Sequence, residues 1–113
     1  MQRDTTGGLF RSDRRATRDP SLLILASLAA GPRHGYAMVE DIAGFGGGRL
    51  GPGTLYGAIA RLEEAGLIEA LETINRRRPY RLTARGAAIL ADEIASLDRI
   101  VRAVRERLAD AST

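Results

Sequence analysis

The sequence predicts a mainly α-helical domain with one β-hairpin and a long closing helix. Three observations predict it. Four segments carry apolar residues at helical spacing, each bounded by capping residues, Gly or Pro. Two short strand-like runs flank an Arg-rich loop between the third and fourth of these segments. The final segment carries a heptad seam of apolar residues.

Residues 1–18 are polar, Arg-rich and without period, and read as a flexible basic arm. Asp19 before Pro20 is an N-cap followed by proline at the first helical position. The run Leu22, Leu23, Ile24, Leu25, Ala26, Leu28, Ala29 then predicts an almost wholly buried helix that stops at Gly31-Pro32. A second helix is expected from about Gly35 to Ala43. Tyr36, Val39, Ile42 and Ala43 would form its buried face, Glu40 and Asp41 would face water, and Gly44 would close it. Phe45-Gly46-Gly47-Gly48 is too rich in glycine to be helical.

Gly51-Pro52 starts a third helix with Leu55, Ile59 and Leu62 as its buried stripe and Gly66 as its end. Thr54, Gly57, Ala58 and Arg61 would give it a low-profile face fit to enter a groove. Leu67 to Glu72 reads as one strand and Pro79 to Leu82 as its return, with Arg76, Arg77 and Arg78 at or near the tip between them. Pro79 cannot donate to a ladder, so the return strand is expected at a sheet edge.

Thr83 caps the last helix, from about Ala84 to Leu108. Leu90, Ile94, Leu97, Val101, Val104 and Leu108 step by four, three, four, three and four, the a/d spacing of helix-on-helix association. Ile89 and Ile100 widen the stripe toward the chain's own core. A helix this long overhangs so small a body, and its far half needs a partner.

The order helix, helix, helix, hairpin, long helix makes the second and third helices a helix-turn-helix and the hairpin a wing beside it. The fold class is therefore mainly α with a β-hairpin wing: a winged helix-turn-helix plus a long C-terminal dimerisation helix. Three segments follow: a basic arm over 1–18, a winged helix-turn-helix DNA-binding domain over 19–83, and a dimerisation helix over 84–109.

Composition narrows the function. A chain of 113 residues has room for one domain. It has no Cys and a single His, His34, which excludes disulfides and argues against a metal site, and no cofactor is expected. No nucleophile, base and orienting group converge on a catalytic pattern, so an enzyme is not expected. No apolar run reaches membrane-spanning length and no signal peptide is evident, so a cytoplasmic protein without membrane contact is expected. The net charge is +3, and all 17 basic residues are Arg. A genome-wide Arg bias explains the missing Lys as well as function does, so the position of the Arg clusters is more telling than their number.

The residues also carry a resemblance. Leu28-Ala29-Ala30-Gly31-Pro32-Arg33-His34-Gly35-Tyr36 resembles the opening signature of the PadR family of bacterial transcriptional regulators. Gly51-Pro52-Gly53-Thr54-Leu55-Tyr56, then Ile59, Arg61-Leu62-Glu63-Glu64 and Gly66-Leu67-Ile68, is similar to its recognition-helix signature. Tyr80-Arg81-Leu82-Thr83 with Gly86 is similar to its wing return and helix start. The resemblance implies a winged-helix homodimer, usually a repressor, that leaves double-stranded DNA when a small effector of unknown identity or a stress signal acts. The short final helix resembles the compact subgroup, whose dimer uses one C-terminal helix per subunit plus the N-terminal helix. Three features depart from the pattern: Gly51 stands where a serine is common, the Asn75-Arg76-Arg77-Arg78 tip is shorter than the usual glycine-rich one, and the arm is longer.

Gly53, Thr54, Tyr56 and Arg61 on the third helix are the candidate DNA contacts, since helix N-termini and hydroxyls reach phosphates and an Arg can reach a base edge. Arg76, Arg77 and Arg78 would meet the DNA backbone or enter a narrowed minor groove. Arg11, Arg14, Arg15 and Arg18 could do likewise from the arm. Leu90, Ile94, Leu97, Val101, Val104 and Leu108 are the candidate dimer seam. His34 reads as structural, starting the second helix with Tyr36 buried behind it. Gly46-Gly47-Gly48-Arg49-Leu50-Gly51 matches a dinucleotide-site pattern but follows a helix instead of a strand, so it reads as a turn. Two other functions fit the same fold: a protein-interaction adaptor, which would keep the third helix and the wing apart or buried, and a small-molecule sensor.

Overall fold

The computed structural model describes residues 19–112; the arm expected over residues 1–18 lies outside them. The elements are α1 Pro20–Leu28, β1 Arg33–His34, α2 Gly35–Gly44, α3 Pro52–Glu64, β2 Ile68–Ala70, β3 Pro79–Leu82 and α4 Ala84–Ser112. The fold is mainly helical, with a small antiparallel sheet in the order β1-β3-β2 and a long C-terminal helix. This is the winged helix-turn-helix that the pattern predicts.

The Asp19 side chain caps α1 by accepting from the Ser21 amide at 2.8 Å, and Pro20 supplies the fixed φ of the first turn. Leu23, Ile24, Leu25 and Leu28 are buried, and α1 packs on α2, α3, α4 and β3, so it lies at the centre of the core. One polar residue, Ser27, is also fully buried. Its hydroxyl donates to Asp41 Oδ2 at 2.7 Å. Arg33 Nε donates to the Ser27 carbonyl at 3.3 Å and lies 3.7 Å from the Asp41 carboxylate. Asp41 therefore does not simply face water as expected; it ties α2 to α1, because a buried hydroxyl needs a partner.

The buried stripe of α2 is Gly35, Met38, Val39 and Ile42. Tyr36, expected inside, is 61% exposed. The stripe runs i, i+3, i+4, i+7 from Gly35, which leaves Tyr36 on its flank. The helix also runs past the expected stop: Gly46, at φ +96, is the residue that turns the chain. The Gly46 and Gly47 amides donate to the Ala43 and Ile42 carbonyls at 3.3 and 2.9 Å, a Schellman closure. A Cβ on Gly47 would lie 2.7 Å from Ile42 Cγ2, so the glycine run is a tight turn pressed onto the core.

Helix α3 buries Leu55, Ala58, Ile59 and Leu62, so Ala58 belongs to the core and not to the outer face. Ala58 stands three residues after Leu55, on the same stripe. Gly66, at φ +78, ends α3 with a second Schellman pair, in which the Gly66 and Leu67 amides donate to the Glu63 and Leu62 carbonyls, each at 3.0 Å.

The sheet corrects two expectations. A two-residue strand, β1, adds to the hairpin, and β3 becomes the central strand instead of an edge. Pro79 pairs with His34 and Tyr80 with Arg33 on one side, and Leu82 pairs with Ile68 on the other. Proline is tolerated here because it is the first residue of β3 and serves as acceptor only: the Leu71 amide donates to its carbonyl at 2.8 Å. β2 is also shorter than the expected Leu67–Glu72, since the Leu67 amide is already used in closing α3.

Thr83 joins α3 to α4. Its hydroxyl accepts from the Gly86 amide at 3.0 Å and donates to the Gly66 carbonyl at 2.7 Å. Thr83→Val keeps the shape and removes both bonds; an expected cost of about 1 kcal/mol would appear as a lower midpoint in urea denaturation. Leu90 is the last buried residue of α4. Ile89 faces a groove with Leu22, Leu25, Leu62 and Leu67, as expected of a residue turned to its own body. Ile100 does not: it is 57% exposed, because α4 has left the body by that point. The projecting helix gives the molecule its 56 × 30 × 25 Å extent.

Candidate nucleic-acid interface

At about 100° per residue, the face of α3 opposite its buried stripe is a ridge of Gly53, Gly57 and Ala60, with Glu64 at its far end. Thr54 and Arg61 stand on one flank of this ridge, and Tyr56 and Glu63 on the other. Gly53, Thr54, Tyr56 and Arg61 are all exposed. The sequence-predicted residues therefore surround a smooth strip without side-chain bulk instead of converging on one point. The α3 N-terminus, capped by Gly51 with no side-chain bond, leaves its first amides open to solvent groups.

The wing tip is a two-residue turn. Ile74 and Arg77 pair, exchanging amide-to-carbonyl bonds of 2.8 and 2.9 Å, and Asn75 and Arg76 between them have φ of 52 and 66. That is the type I′ geometry that matches strand twist and prefers Asn-Gly. Arg76 thus occupies a left-handed position that glycine fills without strain. Arg76→Gly should stabilise the hairpin by about 0.5–1 kcal/mol in thermal denaturation while removing a cation from the tip.

The three wing arginines have different surroundings. Arg78 Nη1 donates to the Leu71 carbonyl at 3.2 Å, across the hairpin. Arg77 Nη1 lies 3.2 Å from His34 Nε2, and its guanidinium carbon sits 6.0 Å from the centroid of the Tyr36 ring. No hydrogen bond or ion pair within the described residues engages the Arg76 or Arg61 side chains.

The wing and the helix-turn-helix share one cleft of about 280 Å³, lined by His34, Gly35, Tyr36, Tyr56, Arg76, Arg77, Arg78 and Tyr80. Three phenols, three guanidiniums and one imidazole line it, with no carboxylate among them. Its floor depends on Gly35: a Cβ there would lie 2.6 Å from the Tyr56 hydroxyl. Tyr80 has its phenol pushed above the ordinary range by burial and by the nearby Glu63 charge. Outside the cleft, Arg49 holds Glu40 at 3.0 and 3.4 Å, which keeps that carboxyl below its usual range, and Arg81 pairs with Glu69 across the sheet.

Sequence pattern alone does not mark His34, Tyr36 and Tyr80 as parts of this cleft. His34 starts α2, as expected, with Nδ1 facing the Ala37 amide at 3.3 Å. Its second contact, to Arg77, spans 43 positions of sequence and leaves no local trace. The residues of the proposed seam stand apart from the cleft. Leu90 is in the core, while Ile94, Val101, Val104 and Leu108 are 42 to 63% exposed along one face of α4. Leu90 and Ile94 also line an open apolar groove of about 590 Å³ with Ala29, Leu82, Ala87, Ala91, Ala95 and Asp98. No helix among the described residues is long and apolar enough to cross a membrane.

Comparison with known proteins supplies an independent line. The model of the transcriptional regulator PadR-like family matches residues 24–92. A transcriptional regulator of Mycobacterium tuberculosis is 34% identical over 86 residues, covering 74% of this chain and 79% of that protein. An uncharacterised 37.1 kDa protein of a Streptomyces fradiae transposon is 48% identical over 84 residues. That alignment covers 74% of this chain but only 24% of the transposon protein, so the chain spans about a quarter of its length. The crystal structure of a PadR family transcriptional regulator from Eggerthella lenta superposes with a TM-score of 0.72 at 29% identity, covering 93% of each chain.

Proposed function

We propose, on the premise that this chain belongs to the PadR-like family of transcriptional regulators, that it acts on DNA as a homodimer and represses the genes it controls. In this reading α3 of each copy lies in a major groove, with the Gly53–Gly57–Ala60 ridge against the groove floor. Arg61 reaches a base edge, while Thr54, Tyr56 and the open α3 amides at Gly53 and beyond hold phosphates. Arg76 meets the flanking backbone or minor groove, and Arg77 and Arg78 complete the wing surface. The α4 seam of Leu90, Ile94, Leu97, Val101, Val104 and Leu108 sets the spacing of the two copies. Release by a small effector or a stress signal rests on the family resemblance, and so does a cytoplasmic location.

One observation carries the reading. Tyr56, on one flank of the α3 face, and the three wing arginines line a single cleft that holds cations and phenols and no carboxylate. A protein-only adaptor would be favoured if the folded dimer kept α3 and the wing apart or buried them; in the single chain Tyr56 and the wing arginines are exposed around the cleft, which supports the DNA reading. The test is binding to DNA from upstream of the protein's own gene, against a scrambled duplex, across rising salt. Log affinity should fall steeply with log salt, and Arg76→Ala should lower the slope by about one for each phosphate the wing no longer neutralises. Equal binding to both duplexes at every salt concentration would remove sequence-specific regulation.

A further inference from the structure

We propose that Arg77 is a positioning residue, bracing the wing on α2 through His34 and Tyr36, and is not itself a phosphate ligand. The proposal rests on the reading of the wing as a DNA contact. It starts from the unequal partners of Arg77 and Arg78, which both line the cleft. Arg78 turns to the Leu71 carbonyl of the opposite strand, and Arg77 turns inward over Tyr36 to His34. Arg76, at the tip, is left as the wing cation with no partner among the described residues. The Tyr36 exposure that breaks the expected stripe has a role in this arrangement: it leaves the ring open to the guanidinium, 6.0 Å from its centroid.

His34 is the point where this brace meets the fold. Both of its neighbours are donors, the Ala37 amide at Nδ1 and the Arg77 guanidinium at Nε2. A neutral imidazole has one acceptor nitrogen, so it serves one of them at a time. A bond from a charged donor is the stronger of the two. The docked wing therefore draws the lone pair to Nε2 and leaves the proton on Nδ1. Without Arg77 the ring returns to capping α2 through Nδ1. The wing position and the α2 N-terminus thus compete for one lone pair.

His34 is the chain's single histidine, so nitrogen NMR of the ring needs no assignment by mutation. The measurement uses the full chain without DNA, at a pH where the imidazole is neutral. The wild type should show the proton on Nδ1, and Arg77→Ala should move it to Nε2. A proton on Nε2 in both proteins overturns the brace, whether or not the protein binds DNA. With DNA, Arg77→Ala should weaken binding by about fivefold, on the scale of an exposed cation–π contact, and leave the salt slope unchanged. His34→Asn keeps a good cap residue but is too short for the brace, and it should make Arg77→Ala nearly silent. A salt slope reduced by Arg77→Ala as much as by Arg76→Ala, with full additivity to His34→Asn, would make Arg77 a phosphate ligand and overturn the proposal. Failure of the wild type to bind DNA would instead sink the functional reading, leaving the ring tautomer to decide the brace.

Discussion

Gly86→Ala should destabilise the domain by about 3 kcal/mol or more, the upper range for overpacking. A Cβ at this buried position in the first turn of α4 would lie 2.0 Å from the Leu67 carbonyl oxygen, 2.9 Å from its carbon and 3.0 Å from Leu82 Cδ1. The first obstacle is backbone and cannot swing aside. The same carbonyl already accepts from the Thr83 amide at 3.1 Å, so moving it breaks the junction of sheet and helix. To make room, α4 would have to lift from Leu67 and β3 and give up the Thr83 cap. The melting temperature should fall by about 10 °C or more, measured at fixed protein concentration because association shifts it. Ala88→Gly, on the exposed side of the same turn, should cost only about 1 kcal/mol. Equal effects of the two changes would mean that α4 does not sit against Leu67.

Val101→Asp should convert the protein to monomers and weaken operator binding by about a hundredfold, the scale of removing a second attachment. Val101 is 42% exposed and lies between Leu97 and Val104 on the seam, beyond the last buried residue of α4. With no core of its own side to pack on, this apolar face gains from a second copy, and a carboxylate there would be desolvated without a partner. Sedimentation should show the change in mass, while the circular dichroism of the body should stay unaltered because Val101 lies beyond the last buried residue of α4. A variant that remains dimeric would place the interface elsewhere.

These variants probe features that differ in how plainly the sequence displays them. Asp19-Pro20, Gly51-Pro52 and Thr83 are local signals, and each cap falls where those residues put it. Gly66 likewise ends α3 by a bond pattern confined to neighbouring residues. The departures arise where distant residues decide. β1 is two residues without period and exists only because β3 offers a ladder. A missing amide argues for Pro79 at an edge, yet a two-residue neighbour asks little of the first position of a strand. The size of Tyr36 argues for burial and the smallness of Ala58 for a groove-facing position, but helical phase overrides both. Leu90 and Ile100 sit on one helix, but where the body ends decides which is buried. The candidate site shows the same division: Arg76, Arg77 and Arg78 stand out as a run, whereas their unequal surroundings follow from a turn type and from His34 and Tyr36, some 40 positions away.

In the proposed reading α3 and the wing form one DNA-reading surface, repeated by a two-fold axis. Selection of bound duplexes from a random pool by the full-length protein tests it most directly. Expected is an enriched, inverted-repeat sequence whose half-sites are centred about 10 base pairs, one helical turn, apart, with Arg61→Ala relaxing the preference at one position in each half. An unenriched pool, or enrichment that Arg61→Ala and Arg76→Ala leave untouched, would contradict it.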